Sequence, residues 1–316
     1  GAGGPVYKGI VVRLGANREA SVCYDTELLR AAVGWTGFLK FDPARFGVIV
    51  PPKVDGPATF ATPRFPGVSL NEKFQNFREA NPYGPIPKDI AHYQGLYRHG
   101  QRVVLEYTTG QKTAPGGEST IFESPWFEAF GEGTNSRTTA ITRTLRVTPA
   151  SKPLRLLIAD AGAKVRLHPR SESASLVDEP AVGRVLVIAP HANAVTIKLL
   201  VASPETNEAA FEQLVAASPV PEDLQTLVQP GPKAWGEPLV TKGEVSTDQS
   251  SAYVVDTITL PFQNRFNALL FCGGHDFLPD GRAAVCTLHG DVWLVDGIDD
   301  KLERITWRRF ATGLFQ

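Results

Sequence analysis

Hydrophobic and polar residues alternate along much of the chain with a period of two, which is the pattern of β-strands that bury one face. Residues 141–147 show it clearly: Ile141, Leu145 and Val147 fall on one face, and Thr142, Thr144 and Arg146 fall on the other. The same alternation predicts further strands at residues 10–14, 20–24, 102–107, 154–158, 164–167, 184–189 and 195–201. Short strands in close succession predict an all-β chain with a β-sandwich-like N-terminal domain.

One stretch departs from this pattern and shows helical spacing instead. Ser203 suits an N-cap, Pro204 suits the first helical position, and Pro219 is expected to end the helix. An apolar stripe at helical spacing forms its predicted buried face: Phe211, Leu214 and Val215. A shorter helical turn is predicted at residues 221–228, so the domain contains one or two short helices.

Residues 42–87 form a long segment that is rich in proline, glycine and asparagine and has little periodicity. Segments of this kind inside a compact domain are more often functional or capping loops than linkers. Its many aromatic residues argue against disorder. Two further local predictions are a tight corner at residues 34–37 and a strand at residues 253–260.

Residues 271–310 contain short apolar runs that are separated by turn-forming residues. Proline and glycine in 279–281 suit a tight turn, and His289-Gly290 suits a two-residue hairpin loop. This spacing predicts an antiparallel meander of about four strands, the size of one β-propeller blade, with Trp293 opposite Cys286. We therefore expect a β-rich domain at residues 1–250 and the first blade of an incomplete β-propeller at residues 251–316.

Three motifs of the meander resemble the opening blade of the glucose/sorbosone dehydrogenase-like β-propellers. They are FLPDGR at 277–282, GDVWLV at 290–295 and FATGL at 310–314. Only 46 residues follow Leu270, whereas a closed propeller has about four to eight blades. We expect the propeller to continue beyond Gln316.

Motifs of the N-terminal part resemble an uncharacterised β-rich domain that precedes such a propeller in large secreted bacterial proteins of the membrane-bound dehydrogenase type. They are GWTGF at 34–38, GP at 84–85, YQGLY at 93–97, GPKAW at 231–235 and YVVDT at 253–257. These proteins often carry a cytochrome c domain as well. The resemblance implies an exported protein, periplasmic or extracellular, that is the front part of a quinoprotein-like sugar or polyol dehydrogenase. PQQ or haem c would then belong to the parent protein, and the rest of the propeller or the cytochrome c domain would be partners.

Composition and net charge limit the classes of partner that the chain is expected to bind. With 32 Lys and Arg against 33 Asp and Glu, the net charge is -1, which indicates no nucleic-acid partner. No apolar run approaches the roughly 18 residues of a membrane span. The three cysteines give no disulfide framework, and no motif predicts a cofactor or metal bound by this chain.

Four residues beside the turns of the meander are candidate catalytic or metal-binding groups: His275, Asp276, His289 and Asp291. Pairing about the first turn places His275 opposite Val285, so the two histidines are expected at different levels of the sheet. The favoured interpretation is structural, with His289 in a turn and both aspartates bonded to turn backbone.

The segment from Cys286 to His289 lacks the second cysteine that covalent haem attachment needs. We therefore expect Cys286 to be a small buried hydrophobic residue, packed opposite Trp293.

Several aromatic residues are candidates for a carbohydrate-stacking surface, because an aromatic ring offers an apolar face beside a polar group. They are Trp35, Tyr83, Tyr93, Tyr97 and Trp126; the alternative for each is the core. Two functions remain open: the front part of a sugar dehydrogenase without its catalytic centre, or a non-catalytic module that binds carbohydrate or assembles with another protein.

Overall fold

The computed structural model describes residues 4–40, 52–70, 73–75, 84–110, 117–131, 137–231, 235–248 and 250–314. Strands account for 48% and helices for 5% of the structure, so the predicted all-β class is confirmed. The chain divides into two compact units, Gly1–Pro232 and Lys233–Gln316. No helix of the described ranges has the length and apolar character needed to cross a membrane.

The described part of the first unit contains sixteen strands and two helices. They are β1 (Gly9–Leu14), β2 (Ala20–Asp25), β3 (Arg30–Thr36), β4 (Phe38–Lys40), β5 (Lys53–Asp55), β6 (Ala58–Ala61), β7 (Val68–Ser69), β8 (Ala91–His99), β9 (Arg102–Gly110), β10 (Glu118–Phe130), β11 (Thr138–Val147), β12 (Leu154–Ala159), β13 (Lys164–Leu167), β14 (Ala174–Glu179), β15 (Gly183–Ile188), β16 (Val195–Ala202), α1 (Glu208–Ala217) and α2 (Leu224–Leu227). Every strand predicted from the alternation in this unit occurs, with ends that differ by at most three residues.

Three antiparallel sheets share one apolar core in this unit. The largest has six strands in the order β13-β16-β11-β10-β9-β8. Two four-stranded sheets have the orders β1-β2-β3-β6 and β14-β15-β12-β7, and β4 pairs with β5 in a separate ribbon. The inner face of the six-stranded sheet packs into the core through residues such as Ile141, Leu145 and Val147, as the alternation predicted.

The segment 42–87 is less irregular than predicted, because β5, β6 and β7 lie within it. β6 completes one sheet by pairing with β3, and β7 pairs with β12. The expected corner at 34–37 is also wrong, since Gly34 to Thr36 belong to β3 and the chain turns only at Gly37, where φ is +106°.

α1 begins later than the sequence predicts. Asn207 is its N-cap, and the Asn207 side chain accepts a hydrogen bond from the backbone N–H of Ala210 at 3.1 Å. Ser203 instead starts a separate turn, in which its carbonyl accepts from Thr206. The predicted buried face is confirmed, because Phe211 and Leu214 are buried against the face of the six-stranded sheet that lies opposite the shared core.

The second unit contains one antiparallel sheet of five described strands. They are β17 (Leu239–Thr241), β18 (Cys272–Phe277), β19 (Ala283–Thr287), β20 (Val292–Asp296) and β21 (Ile305–Ala311), in the order β17-β21-β20-β19-β18. The predicted meander of β18 to β21 is confirmed. β17 pairs with β21, so the chain divides after Pro232, whereas the sequence placed the boundary between residues 250 and 251.

The predicted register of the meander is wrong by one residue. Trp293 lies opposite Val285, and Cys286 lies opposite Val292. Between β19 and β20, three residues rather than two separate the hydrogen-bonded pair Thr287 and Asp291, where the Thr287 N–H donates to the Asp291 carbonyl at 2.9 Å. Gly290 takes the left-handed conformation that such a loop needs, with φ of +82°.

The predicted strand at 253–260 is absent from the structure. Thr257 makes only an isolated bridge to Glu244, and Tyr253 is 86% exposed. The β-forming composition of this segment therefore does not find a neighbouring strand with which to pair.

Candidate functional site

The four candidate residues of the second unit do not form a common site. His275 lies opposite Val285, as predicted, and is exposed on β18. Asp276 bonds to the backbone N–H of Phe277, and His289 is exposed in the β19–β20 loop. Within the described ranges there is no group of three or more His, Cys, Asp or Glu residues that could hold a metal ion.

Asp291 is buried, and its carboxylate accepts two hydrogen bonds from Arg309, at 2.7 and 2.9 Å. The Arg309 guanidinium also lies 5.8 Å from the centre of the Trp293 ring. Asp291 therefore has a structural partner on β21, which the sequence interpretation of a turn-bonded aspartate missed.

The prediction that Cys286 is buried is wrong. Cys286 is exposed, and its thiol lies 3.4 Å from the carbonyl oxygen of Gly274. Because side chains alternate along β19, Cys286 points away from the face that Ala283 and Val285 share with buried Trp293.

The aromatic candidates differ in how deeply their side chains are buried. Trp35 is fully buried, and its indole N–H donates to the Phe38 carbonyl at 2.6 Å, so it belongs to the interior and not to a ligand surface. Tyr83 lies outside the described residues. Tyr93 packs against the core. Tyr97 is 36% exposed, and Trp126 is partly buried.

The structure brings Tyr97 and Trp126 to one face of the six-stranded sheet, the face opposite the core. Tyr97 pairs with Val104, and Phe122 pairs with Glu106. Val104 and Glu106 are two residues apart on β9, so Tyr97 and Phe122 point to the same face of the sheet. Trp126 follows Phe122 by four residues of β10, so its side chain points the same way. We call this surface the outer face.

A cavity of about 230 Å³ lies on the outer face beside Trp126. Its floor is formed by strands β9, β10, β11 and β16, and its roof is the segment between α1 and α2. Its lining residues are Arg102, Trp126, Glu128, Thr142, Thr144, Lys198, Pro219, Val220 and Glu222. We refer to it as the Trp126 cavity.

Polar contacts hold the roof of the Trp126 cavity to its floor. Ser218 donates to Glu128 at 2.5 Å, and the Lys198 ammonium donates to the Pro219 carbonyl at 2.7 Å. Arg102 binds Glu222 through two nitrogens, with Nε 3.0 Å from Oε2 and Nη2 bonded to Oε1.

The charged groups in the Trp126 cavity are paired. Lys198 is almost fully buried and lies 2.7 Å from Glu128, so its charge is compensated. The Arg102 guanidinium stacks on Trp126, 4.0 Å from the ring centre. Burial lowers the pKa of Arg102 to about 10, so this residue remains a cation at neutral pH.

A second polar cluster, on the inner face, was missed by the sequence analysis. Glu123 accepts from Tyr24 at 2.6 Å, from Tyr107 at 2.9 Å and from Arg143 at 2.6 Å. All four side chains are less than 5% exposed. The Arg143 guanidinium also reaches the Ile158 carbonyl at 3.2 Å. We call these four residues the inner network.

The inner network connects all three sheets, because Tyr24 lies on β2, Ile158 on β12 and the others on the six-stranded sheet. Burial alone would raise the pKa of Glu123, but Arg143 and both tyrosine hydroxyls outweigh burial and lower it. Burial, followed by the charge of Glu123, raises the pKa of Tyr24 and Tyr107 well above their ordinary value. This arrangement favours an ionised Glu123 that no ligand can reach, which is a structural role.

The second unit has an apolar cavity of about 340 Å³ on the face of its sheet that carries Val285. Apolar residues such as Phe277, Val295 and Trp307 form most of its wall, and His275 and Cys272 stand at it.

Comparisons with known proteins agree with the uncharacterised nature of the N-terminal part. A family model described as a domain of unknown function, DUF6797, matches residues 22–114. That range contains Tyr97 and Arg102 but not Trp126, and it covers less than half of the chain. Neither the curated proteins nor the solved structures gave a match.

Proposed function

We propose that this chain is a non-catalytic carbohydrate-binding module and that the saccharide occupies the Trp126 cavity. The observation that carries the proposal is a partly buried indole in a cavity whose other lining residues are mostly polar or charged. The six-stranded sheet supports it, because its inner face packs into the shared core, while its outer face, partly covered by α1, carries the Trp126 cavity.

The chemistry of the cavity matches that of a sugar ring. A sugar presents apolar C–H groups and many hydroxyls, which suit an aromatic side chain beside a few placed polar groups. Thr142 and Thr144 contribute hydroxyl-bearing side chains on β11, and the charged pairs contribute the remaining polar wall. The volume of about 230 Å³ is below the roughly 300–1,000 Å³ of drug-sized sites, which fits one sugar unit.

Binding is favoured over catalysis because both carboxylates of the cavity are occupied. Glu128 is held by Lys198 and Ser218, and Glu222 is held by Arg102. A general acid or a nucleophile needs a carboxyl group that is free to approach the glycosidic bond.

A glycan panel tests the proposal, with binding measured by calorimetry and intrinsic fluorescence on the full chain. We expect at least one saccharide to bind and Trp126→Ala to abolish binding. Phe130→Ala is the matched control, since Phe130 lies four residues further along β10 and is 40% exposed. Unchanged affinity of Trp126→Ala, or equal losses in both variants, would contradict the assignment.

A second proposal concerns the other unit. The four-stranded meander of β18 to β21, with glycines at its turns, supports identifying it as the first blade of a glucose/sorbosone dehydrogenase-like propeller. In that case the chain is the front part of an exported sugar or polyol dehydrogenase, and PQQ or haem c belongs to the parent protein.

Dye reduction tests this second proposal. We expect the chain supplied with PQQ and an aldose or polyol to reduce no more dye than a heat-killed sample. Turnover by this chain alone would contradict it, and so would a parent gene that lacks an export signal.

A further inference from the structure

We infer that the Trp126 cavity takes an acidic saccharide, whose carboxylate binds the guanidinium of Arg102. This inference rests on the carbohydrate-binding function proposed above and adds the class of ligand. It follows from which hydrogen-bonding groups of the cavity are already used and which are not.

Both carboxylates of the cavity are already engaged. Both carboxylate oxygens of Glu128 accept hydrogen bonds, one from Lys198 and the other from Ser218. Both oxygens of Glu222 accept from Arg102. The cavity therefore offers no free carboxylate to the hydroxyl protons of a ligand.

One donor group of the cavity, in contrast, remains without an acceptor. Arg102 uses Nε and Nη2 on Glu222, while its Nη1 is covered from solvent and has no partner. Buried donors without acceptors cost free energy, so a ligand that supplies acceptors is favoured.

A carboxylate suits a cavity with an unused donor and occupied carboxylates better than a hydroxyl group does. An ionised carboxylate only accepts hydrogen bonds, whereas each neutral hydroxyl brings a proton that also needs an acceptor. The guanidinium has five N–H donors in a planar fork, so Arg102 can hold a second carboxylate on the edge that contains Nη1. Its stacking on Trp126 then places the sugar ring of such a ligand beside the indole.

Glu222 competes with the ligand for Arg102. Its side chain is 28% exposed, so it can turn towards solvent when a ligand carboxylate arrives, and this movement uncovers the guanidinium. Since two carboxylates on one guanidinium repel each other, removing the charge of Glu222 is expected to strengthen binding of an acidic ligand.

Calorimetry with trigalacturonate and its fully methyl-esterified form tests the inference, because these probes differ in charge and share one backbone. We expect the full chain to bind the acidic form at least about tenfold more tightly, since charge-assisted hydrogen bonds are roughly twice as strong as neutral ones. Glu222→Gln is expected to tighten binding of the acidic form only. Arg102→Gln is expected to remove the difference between the two probes.

The outcomes separate the inference from the function on which it rests. If the ester binds as tightly as the acidic form or more tightly, the inference of an acidic ligand is wrong, while the proposed carbohydrate binding is unaffected. A preference that survives in Arg102→Gln overturns the role of Arg102. Absence of binding by both probes, with unchanged tryptophan fluorescence, counts against both proposals. If circular dichroism shows that Arg102→Gln does not fold, the titrations of the wild type and of Glu222→Gln test whether the acidic form binds more tightly than the ester.

Discussion

Two clusters of charged residues lie on opposite faces of the same six-stranded sheet. The inner network surrounds Glu123, and the Trp126 cavity contains Glu128, five residues further along β10. In the inner network both oxygens of Glu123 have donors, and the groups are closed off by three sheets. In the Trp126 cavity space remains, and Arg102 Nη1 lacks an acceptor.

This difference indicates different roles for the two clusters. A buried ion pair whose hydrogen bonds are complete and that has no space beside it fixes the packing of the elements around it. A cluster that keeps space and unused donors retains the capacity to bind a further group. The same strands thus carry a structural cluster on one face and a candidate binding site on the other.

The largest expected effect is the loss of Glu123. Glu123→Ala leaves Arg143 buried without its carboxylate, and we expect the free energy of unfolding to fall by about 3–5 kcal/mol. Urea denaturation followed by circular dichroism measures it. Glu172→Ala, at an exposed position of the same unit, is the control and should change little. A loss below about 1 kcal/mol in Glu123→Ala would refute the structural role of the network.

An acid titration gives a smaller effect on the same cluster. Because the pKa of Glu123 is lowered in the folded chain from its ordinary value of 4.5, the unfolded chain takes up this proton first as the pH falls. The stabilisation is therefore present above about pH 4.5 and is lost as the pH falls through the lowered pKa. Urea midpoints between pH 7 and pH 3 should fall more steeply for the wild type than for Glu123→Gln. Parallel slopes would mean that Glu123 is not the titrating group.

The smallest effect is expected in the Trp126 cavity. Glu222→Ala also removes a glutamate from an arginine, but these side chains are 21% and 28% exposed, so the cost should stay below about 1 kcal/mol. The same urea measurement checks it. A cost close to that of Glu123→Ala would erase the contrast between the two clusters.

Much of the fold follows from local sequence patterns. The alternation of apolar residues predicts eight of the sixteen described strands of the first unit, and the turn residues predict the meander of β18 to β21. The register of that meander was wrong because a loop of two residues and a loop of three fit the same His289-Gly290 sequence. The predicted cap at Ser203 was wrong because Asn207, four residues later, also satisfies the capping chemistry.

The inner network did leave a signal in the sequence. Arg143 is in phase with Ile141 and Leu145, and Glu123 is in phase with Ile121 and Phe127. A charged residue at an apolar position of a strand indicates a buried partner, although a single strand does not show where that partner lies.

The sequence by itself determined the all-β class, the positions of most strands and the residues that alternate between the two faces of each strand. Only the tertiary structure decided that Trp35 is interior, that Trp126 stands in a cavity and that Glu222 meets Arg102 from 120 residues away. The physical reason is the distance along the chain over which each effect acts. Alternation and turn chemistry act between neighbours along the chain, whereas the environment of a side chain depends on which distant segment packs against it.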